Sequence, residues 1–274
     1  MFHYKRSQTL LGGAFTTTEL VFHAIVRSIR ARHSNAVIAI LMNIVQMIVV
    51  ATFFYFLMSL MGRFGAAKIR GDFILYILSG IFLYLTHVKS VSAVLSVGSG
   101  NNPMTLHSPM NMMVMLLATA LGAFYTQLVS ILVILFVYSV AVAPLEIQEP
   151  GGAFGMLVLA WFTGCSVGMI FLALKPWFPN TVTTLSNLYR RMNMVFSGKM
   201  FVANALGGLM LGMFAWNPLF HVIDQCRGFV FRNYFPRNTN WEYALWVGII
   251  LLMIGLMAEF YTRKRVSNSW EARR

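Results

Sequence analysis

Residues Met112–Val142 read MMVMLLATALGAFYTQLVSILVILFVYSVAV, a run with no charged side chain and no proline. About 20 apolar residues suffice for a helix to cross the hydrocarbon core of a bilayer, so this run predicts a membrane span. The same character recurs on both sides of it. Residues 34–62 carry no charge and hold a first span at Ala36–Met61. A second runs from about Phe73 into Leu85–Val97, interrupted only by Lys89. Gly151–Leu174 and Tyr243–Ala258 give two more. Thr181–Lys199 and Met200–Trp216 are both helix-like with no polar loop between them. Six spans rather than seven put both basic ends on one side, so Thr181–Lys199 counts as the fifth of six. The whole chain agrees: 58% of its 274 residues are hydrophobic and only 11% are charged, where a soluble domain carries about a quarter charged residues. A soluble enzyme, a disordered chain and a disulfide-stapled secreted domain are excluded. The expected fold class is an all-α membrane protein with one transmembrane domain over 1–274.

Charge sets the expected orientation. The net charge is +13, which in a soluble chain would suggest nucleic acid. Here much of the excess flanks the spans at the two ends, at Lys5, Arg6, Arg27, Arg30 and Arg32 and again at Arg263, Lys264, Arg265, Arg273 and Arg274. Basic residues collect on the cytoplasmic side of spans. Six spans put both termini there, with 1–33 as a cytoplasmic region, 34–262 as the permease and 263–274 as a tail. No nucleic-acid partner is expected. The first thirty residues lack the apolar core of a cleavable signal, so the first span is expected to drive insertion. Thr16–Glu19 forms a capping-box pattern, and Val21, Phe22, Ile25, Val26 and Ile29 then share one face. That spacing predicts an amphipathic helix lying in the interface. Residues 200–236 are too apolar for an ordinary outer loop. Backbone that re-enters the membrane is tolerated where protein buries it, so a re-entrant hairpin is expected between spans five and six.

No metal-ligand spacing, phosphate-binding glycine loop or nucleophile elbow is present. Catalytic, cofactor and metal residues are therefore each expected to be none. Cys165 and Cys226 are too few for a disulfide framework. Gly151/Gly155, Gly164/Gly168 and Gly208/Gly212 have the small-xxx-small spacing of close helix packing. His87 and His107 read as polar residues near inner loops. Arg190 and Arg191 fall inside the fifth span, where a charge must snorkel, pair or face water, with Glu259 as one possible partner. Finally, Asn217–Pro218 starts a helix on which His221, Asp224 and Arg227 form roughly one stripe.

The stretch Trp216-Asn-Pro-Leu-Phe-His-Val-Ile-Asp-Gln-Cys-Arg227, preceded by Phe196-Ser-Gly198, resembles the membrane subunit of type-2 ABC exporters of capsular polysaccharide. That family reads W-N-P-L-x-H-x-I/V-E-x-x-R before the last span, so Asp224 stands in place of the usual glutamate. Val26–Arg32 is similar to the family's entry helix, and Phe171–Lys175 with Phe178-Pro179 is similar to its link between spans four and five. The resemblance covers about residues 18–265.

The resemblance implies a homodimeric pore for a lipid-linked polysaccharide in the bacterial inner membrane, driven by two copies of a separate ATP-binding subunit. ATP and Mg would sit on that subunit, and this chain would not be an enzyme. Periplasmic or outer-membrane export proteins are further possible partners. Residues 17–32, with Arg27 and Arg30, and the Gly98–Pro109 loop, with Asn102 and Pro103, would couple to the ATPase. Trp216, Asn217, Pro218, His221, Asp224 and Arg227 would form the outer gate. Arg190 and Arg191 would lie on the substrate path, together with Tyr55 and Tyr84, whose rings can stack on sugars. Exporters of O-antigen, teichoic acid, a lipid or a drug are the near alternatives. A polytopic enzyme acting on lipid-linked sugars is the far one, and it would need converging acidic residues that the sequence does not obviously supply.

Overall fold

The computed structural model describes residues 19, 22–26, 36–60, 72–97 and 112–271. All secondary structure among them is helical: α1 (Ala36–Leu60), α2 (Phe73–Val97), α3 (Met112–Ala141), α4 (Pro150–Leu174), α5 (Pro179–Phe196), a 3-10 turn (Ala203–Ala205), α6 (Gly208–Phe214), α7 (Pro218–Val230) and α8 (Trp241–Glu271). The chain is a multi-pass membrane protein, since α1, α2, α3, α4 and the first part of α8 are each long and apolar enough to cross a bilayer. The element expected as the fifth span, α5, is different. It has 18 residues, rich in Thr, Ser, Asn and Arg, and would reach about 27 Å at 1.5 Å per residue.

Polar side chains decide which helix becomes the centre. The α2 helix is the most buried span, and it carries Ser79, Thr86, His87 and Ser90 at positions shielded from lipid. Its hydroxyls bond back to their own helix, as Thr86 does to Phe82 O at 2.7 Å. By contrast, α1 is apolar on all sides and lies at the periphery, with Val37, Phe56 and Leu60 exposed. Asn43 and Gln46 break its pattern. Gln46 accepts from Lys89 of α2, and Asn43 is fixed to α3: Asn43 Nδ2 donates to Ser130 Oγ at 2.8 Å and Gln127 Nε2 donates to Asn43 Oδ1 at 3.3 Å. Amides clasped between spans hold helices where no hydrophobic force acts.

Glycine brings α2, α4 and α8 close. A Cβ at Gly164 would sit 2.5 Å from His87 O, and one at Gly168 would sit 2.8 Å from Val94 Cβ. On the other face of the bundle, Gly255 faces Met169 at 2.7 Å in the same sense. Of the three expected small-xxx-small pairs, Gly164/Gly168 packs against a helix within this chain. A Cβ at Gly151, Gly155, Gly208 or Gly212 would meet nothing within 4 Å among the described residues.

His87 also departs from its reading as an interface residue. It is wholly buried in mid-helix, with Nδ1 beside Thr163 Oγ1 at 3.1 Å and Nε2 beside Tyr189 Oη at 2.9 Å. One imidazole thus ties α2 to α4 and α5. Arg190 does similar work: its Nη1 donates to Ser92 Oγ at 2.6 Å, and Tyr84 Oη donates to its carbonyl at 3.2 Å.

The two ends of the bundle differ. At one end the starts of α2, α4 and α8 meet the finishes of α1 and α3, for example where Tyr138 Oη of α3 donates to Asp72 Oδ2 at 2.6 Å. At the other end, Trp177 Nε1 donates to Thr262 Oγ1 at 3.0 Å, joining the α4–α5 turn to α8. Near that second end, residues 22–26 are helical, and Ala24 is buried against Val114 and Ala118 at the start of α3. The remainder of the expected 17–32 helix, with Arg27 and Arg30, and the 98–109 loop, with Asn102 and Pro103, lie outside the described residues.

Candidate functional site

The stretch between α5 and α8 builds a polar node around α7. The turn that starts it is dictated by Gly198, whose φ is +72°. That left-handed conformation favours glycine, and a Cβ there would also lie 2.4 Å from the Phe220 ring. The apolar run beyond α5 therefore needs no long loop to turn back, which is why none is visible in the sequence. Asn217 then caps α7, its Oδ1 accepting from Leu219 N at 3.1 Å, with Pro218 at the first helical position. Asn and Pro in that order are a preferred helix start. The Asn217 amide also donates to Asn193 Oδ1 at 2.9 Å and to Phe196 O at 3.0 Å. One side chain starts α7 and fastens it to the end of α5.

The three polar residues of the α7 stripe each hold a different strand of connector. Arg227 is completely buried. Its Nη1 donates to Gly198 O at 3.0 Å and Phe201 O at 2.7 Å, and its Nη2 donates to Lys199 O at 2.5 Å. The guanidinium lies 4.1 Å from the Tyr76 ring centroid. Asp224 faces the other way, accepting from Ala203 N at 3.1 Å, Tyr234 Oη at 2.6 Å and Thr239 Oγ1 at 2.8 Å. Burial, then the Asp224 charge, pushes the Tyr234 phenol above its ordinary range, so it remains a donor. His221 accepts from Asn240 N through Nδ1 at 3.1 Å and reaches Ala215 O through Nε2 at 2.7 Å. Those partners assign a neutral ring protonated on Nε2, and burial lowers its pKa accordingly. The stripe is therefore not a salt-bridged exposed face. No Asp224–Arg227 ion pair occurs among the described residues, and all three side chains are buried. Trp216 alone of the six expected gate residues is exposed, at the rim, where its carbonyl accepts from Tyr243 Oη at 2.9 Å.

Lys199 is the residue that the sequence hid. By position, at the outer end of the expected fifth span, it counts as one of the outer cations, yet it is only 3% exposed. Among the described residues its Nζ has no hydrogen-bond partner, and it lies 3.5 Å from the Tyr84 ring centroid and 4.2 Å from that of Phe54. Gly80 of α2 makes room for it, since a Cβ there would lie 3.0 Å from both Lys199 Cβ and Arg227 Nη2. Burial lowers its pKa to about 7.

Of the residues expected on a substrate path, the structure joins Tyr84 and Arg190, through the Tyr84 hydroxyl and the Arg190 carbonyl. Tyr55 is half exposed and packs on Phe73, while Tyr84 is buried beneath Lys199. Arg190 is half-buried and also bonds Asn187 and Ser186 of its own helix, whereas Arg191 is exposed. Glu259 is not their partner, because its Oε1 accepts from Arg263 Nε at 2.8 Å.

No family model matches the chain. Over 115 residues it is 30% identical to a polysialic acid transport protein, KpsM, of Escherichia coli, a match that covers 40% of this chain and 44% of that protein. A second KpsM from the same organism is 29% identical over the same length. The chain is a distant homologue of KpsM. The chain spans less than half the length of these KpsM proteins. The likeness accords with the resemblance carried by the Trp216–Arg227 motif.

Proposed function

We propose that this chain is the membrane subunit of an ATP-driven exporter that moves a lipid-linked polysaccharide out of the cytoplasm. The observation that carries this reading is the α7 node: a motif similar to that of polysaccharide exporters folds into a buried clamp at one end of a bundle of membrane helices. The distant homology to KpsM supports it. In this reading α5 also crosses the membrane, as the fifth of six spans, both termini are cytoplasmic, and α6–α7 form the re-entrant outer gate. Two copies enclose the path, and the chain performs no covalent chemistry. Two ATP-binding subunits dock at the opposite end, against the interface helix and the 98–109 loop. Their closure on ATP reaches the gate through rigid helices that repack as units. The bundle offers such a route, since His87 and Arg190 tie α5 to α2, and Asn217 ties α5 to α7.

Arg191 is exposed on α5, about 18 Å along the helix from Pro179 at 1.5 Å per residue, and Arg190 lies one position before it. A guanidinium there meets sugar hydroxyls, carboxylates or a lipid-linked phosphate through a planar fork that an ammonium lacks. The double variant Arg190→Lys, Arg191→Lys is expected to lower export about tenfold or more, with the protein present at normal levels. Alanine at both positions should lower it further. Full export by the double lysine variant would show that the side chains only snorkel to the headgroups, and would remove them from the path.

A further inference from the structure

Two cavities beside the polar stripe of α7 adjoin each other and share Leu75, Leu145, Ile147 and Val230 in their walls. The first is an apolar groove of about 490 Å³ between α2, α3 and α4, lined by Phe82, Ile131, Leu132, Phe136 and Leu157 among others. Its α3 wall runs from Leu128 to Ser139, a length of about 16 Å at 1.5 Å per residue. That is close to half the ~30 Å hydrocarbon thickness of a bilayer, the depth of one leaflet. The second cavity, of about 800 Å³, caps the groove at the Asp72 end and is polar: Asp72, Glu146, Gln148, Arg232 and Asn233 line it. Its walls are held in place. Gln148 N donates to Val230 O at 3.3 Å and Glu149 N to Phe229 O at 2.9 Å, fixing the 143–149 segment to the end of α7. Tyr138 holds Asp72 from the side.

We propose that the joined cavities are a site for one resident phospholipid with a zwitterionic ethanolamine headgroup. An acyl chain fills the groove, the phosphate meets Arg232, and the ammonium meets Asp72 and Glu146. A chamber holding both signs of charge above a leaflet-deep apolar slot matches such a molecule. An anionic lipid such as phosphatidylglycerol would bring a phosphate for Arg232 but no cation for the two carboxylates. By the topology proposed above this lipid would sit in the outer leaflet; the site itself does not depend on that topology.

Native mass spectrometry of the purified full-length chain, titrated with phosphatidylethanolamine or phosphatidylglycerol, tests this without any export assay. One phosphatidylethanolamine per chain is expected, bound about tenfold more tightly than phosphatidylglycerol. The variant Glu146→Gln, Arg232→Gln should abolish that preference, since both residues are exposed and their loss leaves the fold intact. Filling the groove with Leu132→Trp should weaken both lipids about tenfold. Equal binding of the two lipids by the unaltered chain, or unchanged binding in both variants, would overturn the proposal. So would a Leu132→Trp variant that changes the oligomeric state while binding lipid normally, because the groove would then belong to a second copy of the chain.

Discussion

Arg227→Ala is expected to cost the protein its assembled state. The guanidinium is fully buried and supplies three hydrogen bonds to the carbonyls of Gly198, Lys199 and Phe201. Hydrogen bonds from a charged donor contribute about 1.5–3 kcal/mol each, and a buried acceptor left without its donor costs about 1–3 kcal/mol. Even with partial relaxation, the loss is on the order of 4 kcal/mol, a large part of the stability of an ordinary domain. The cavity left beside Tyr76 and Gly80 adds to it. Arg227→Lys should recover only part, because an ammonium cannot satisfy three carbonyls in one plane or stack on Tyr76 as the guanidinium does. Asp224→Asn should be milder, since an amide oxygen still accepts from Tyr234 or Ala203. Thermal unfolding of detergent-purified protein checks the order: lowest for Arg227→Ala, then Arg227→Lys, then Asp224→Asn. An unchanged melting temperature in Arg227→Ala would remove the node from the structural account.

Lys199→Met should stabilise the protein, and the gain should depend on pH. Burial brings the Lys199 pKa to about 7 from an ordinary value near 10.5. Below pH 7 the amine is protonated in both folded and unfolded chains, and the full cost of holding an ammonium away from water is present. Between pH 7 and about 10.5 the folded chain has released its proton while the unfolded chain retains it, so stability rises with pH across that window. The rings of Tyr84 and Phe54 return part of the cost, about 2 kcal/mol for a desolvated cation over an aromatic face. The desolvation penalty of a buried ion is several kcal/mol, so removal of the charge wins. Methionine has a similar reach and a flexible thioether that fills the same slot. A rise of about 2 kcal/mol is expected at pH 6, fading towards pH 10. A fall in stability at pH 6 would mean that the aromatic cage outweighs the burial.

The spans were legible because membrane helices announce themselves by length and by absence of charge. Met112–Ala141 and Pro150–Leu174 fall within a residue of their expected bounds. The capping sequence Asn217–Pro218 is equally local, and it begins a helix as read. What could not be read was direction. Periodicity placed His221, Asp224 and Arg227 on one stripe, but it does not say that α7 is enclosed by the starts of α2, α4 and α8, so an exposed face and a buried node looked alike. Lys199 misled for the same reason, since a cation between two helical runs reads as a loop residue until the chain is folded over Gly80. The glycine pairs show the limit most clearly. Gly164/Gly168 and Gly208/Gly212 have identical spacing, and among the described residues only the first meets another helix.

The transport assignment is tested most directly by reconstitution. Proteoliposomes holding this chain with its ATP-binding partner are loaded with lipid-linked polysaccharide, and exposure of the polymer on the far side is followed with and without ATP. A complex containing two copies of each subunit, moving the polymer only when ATP is hydrolysed, is the expected result. An intact complex that hydrolyses ATP while the polymer stays in place would contradict it.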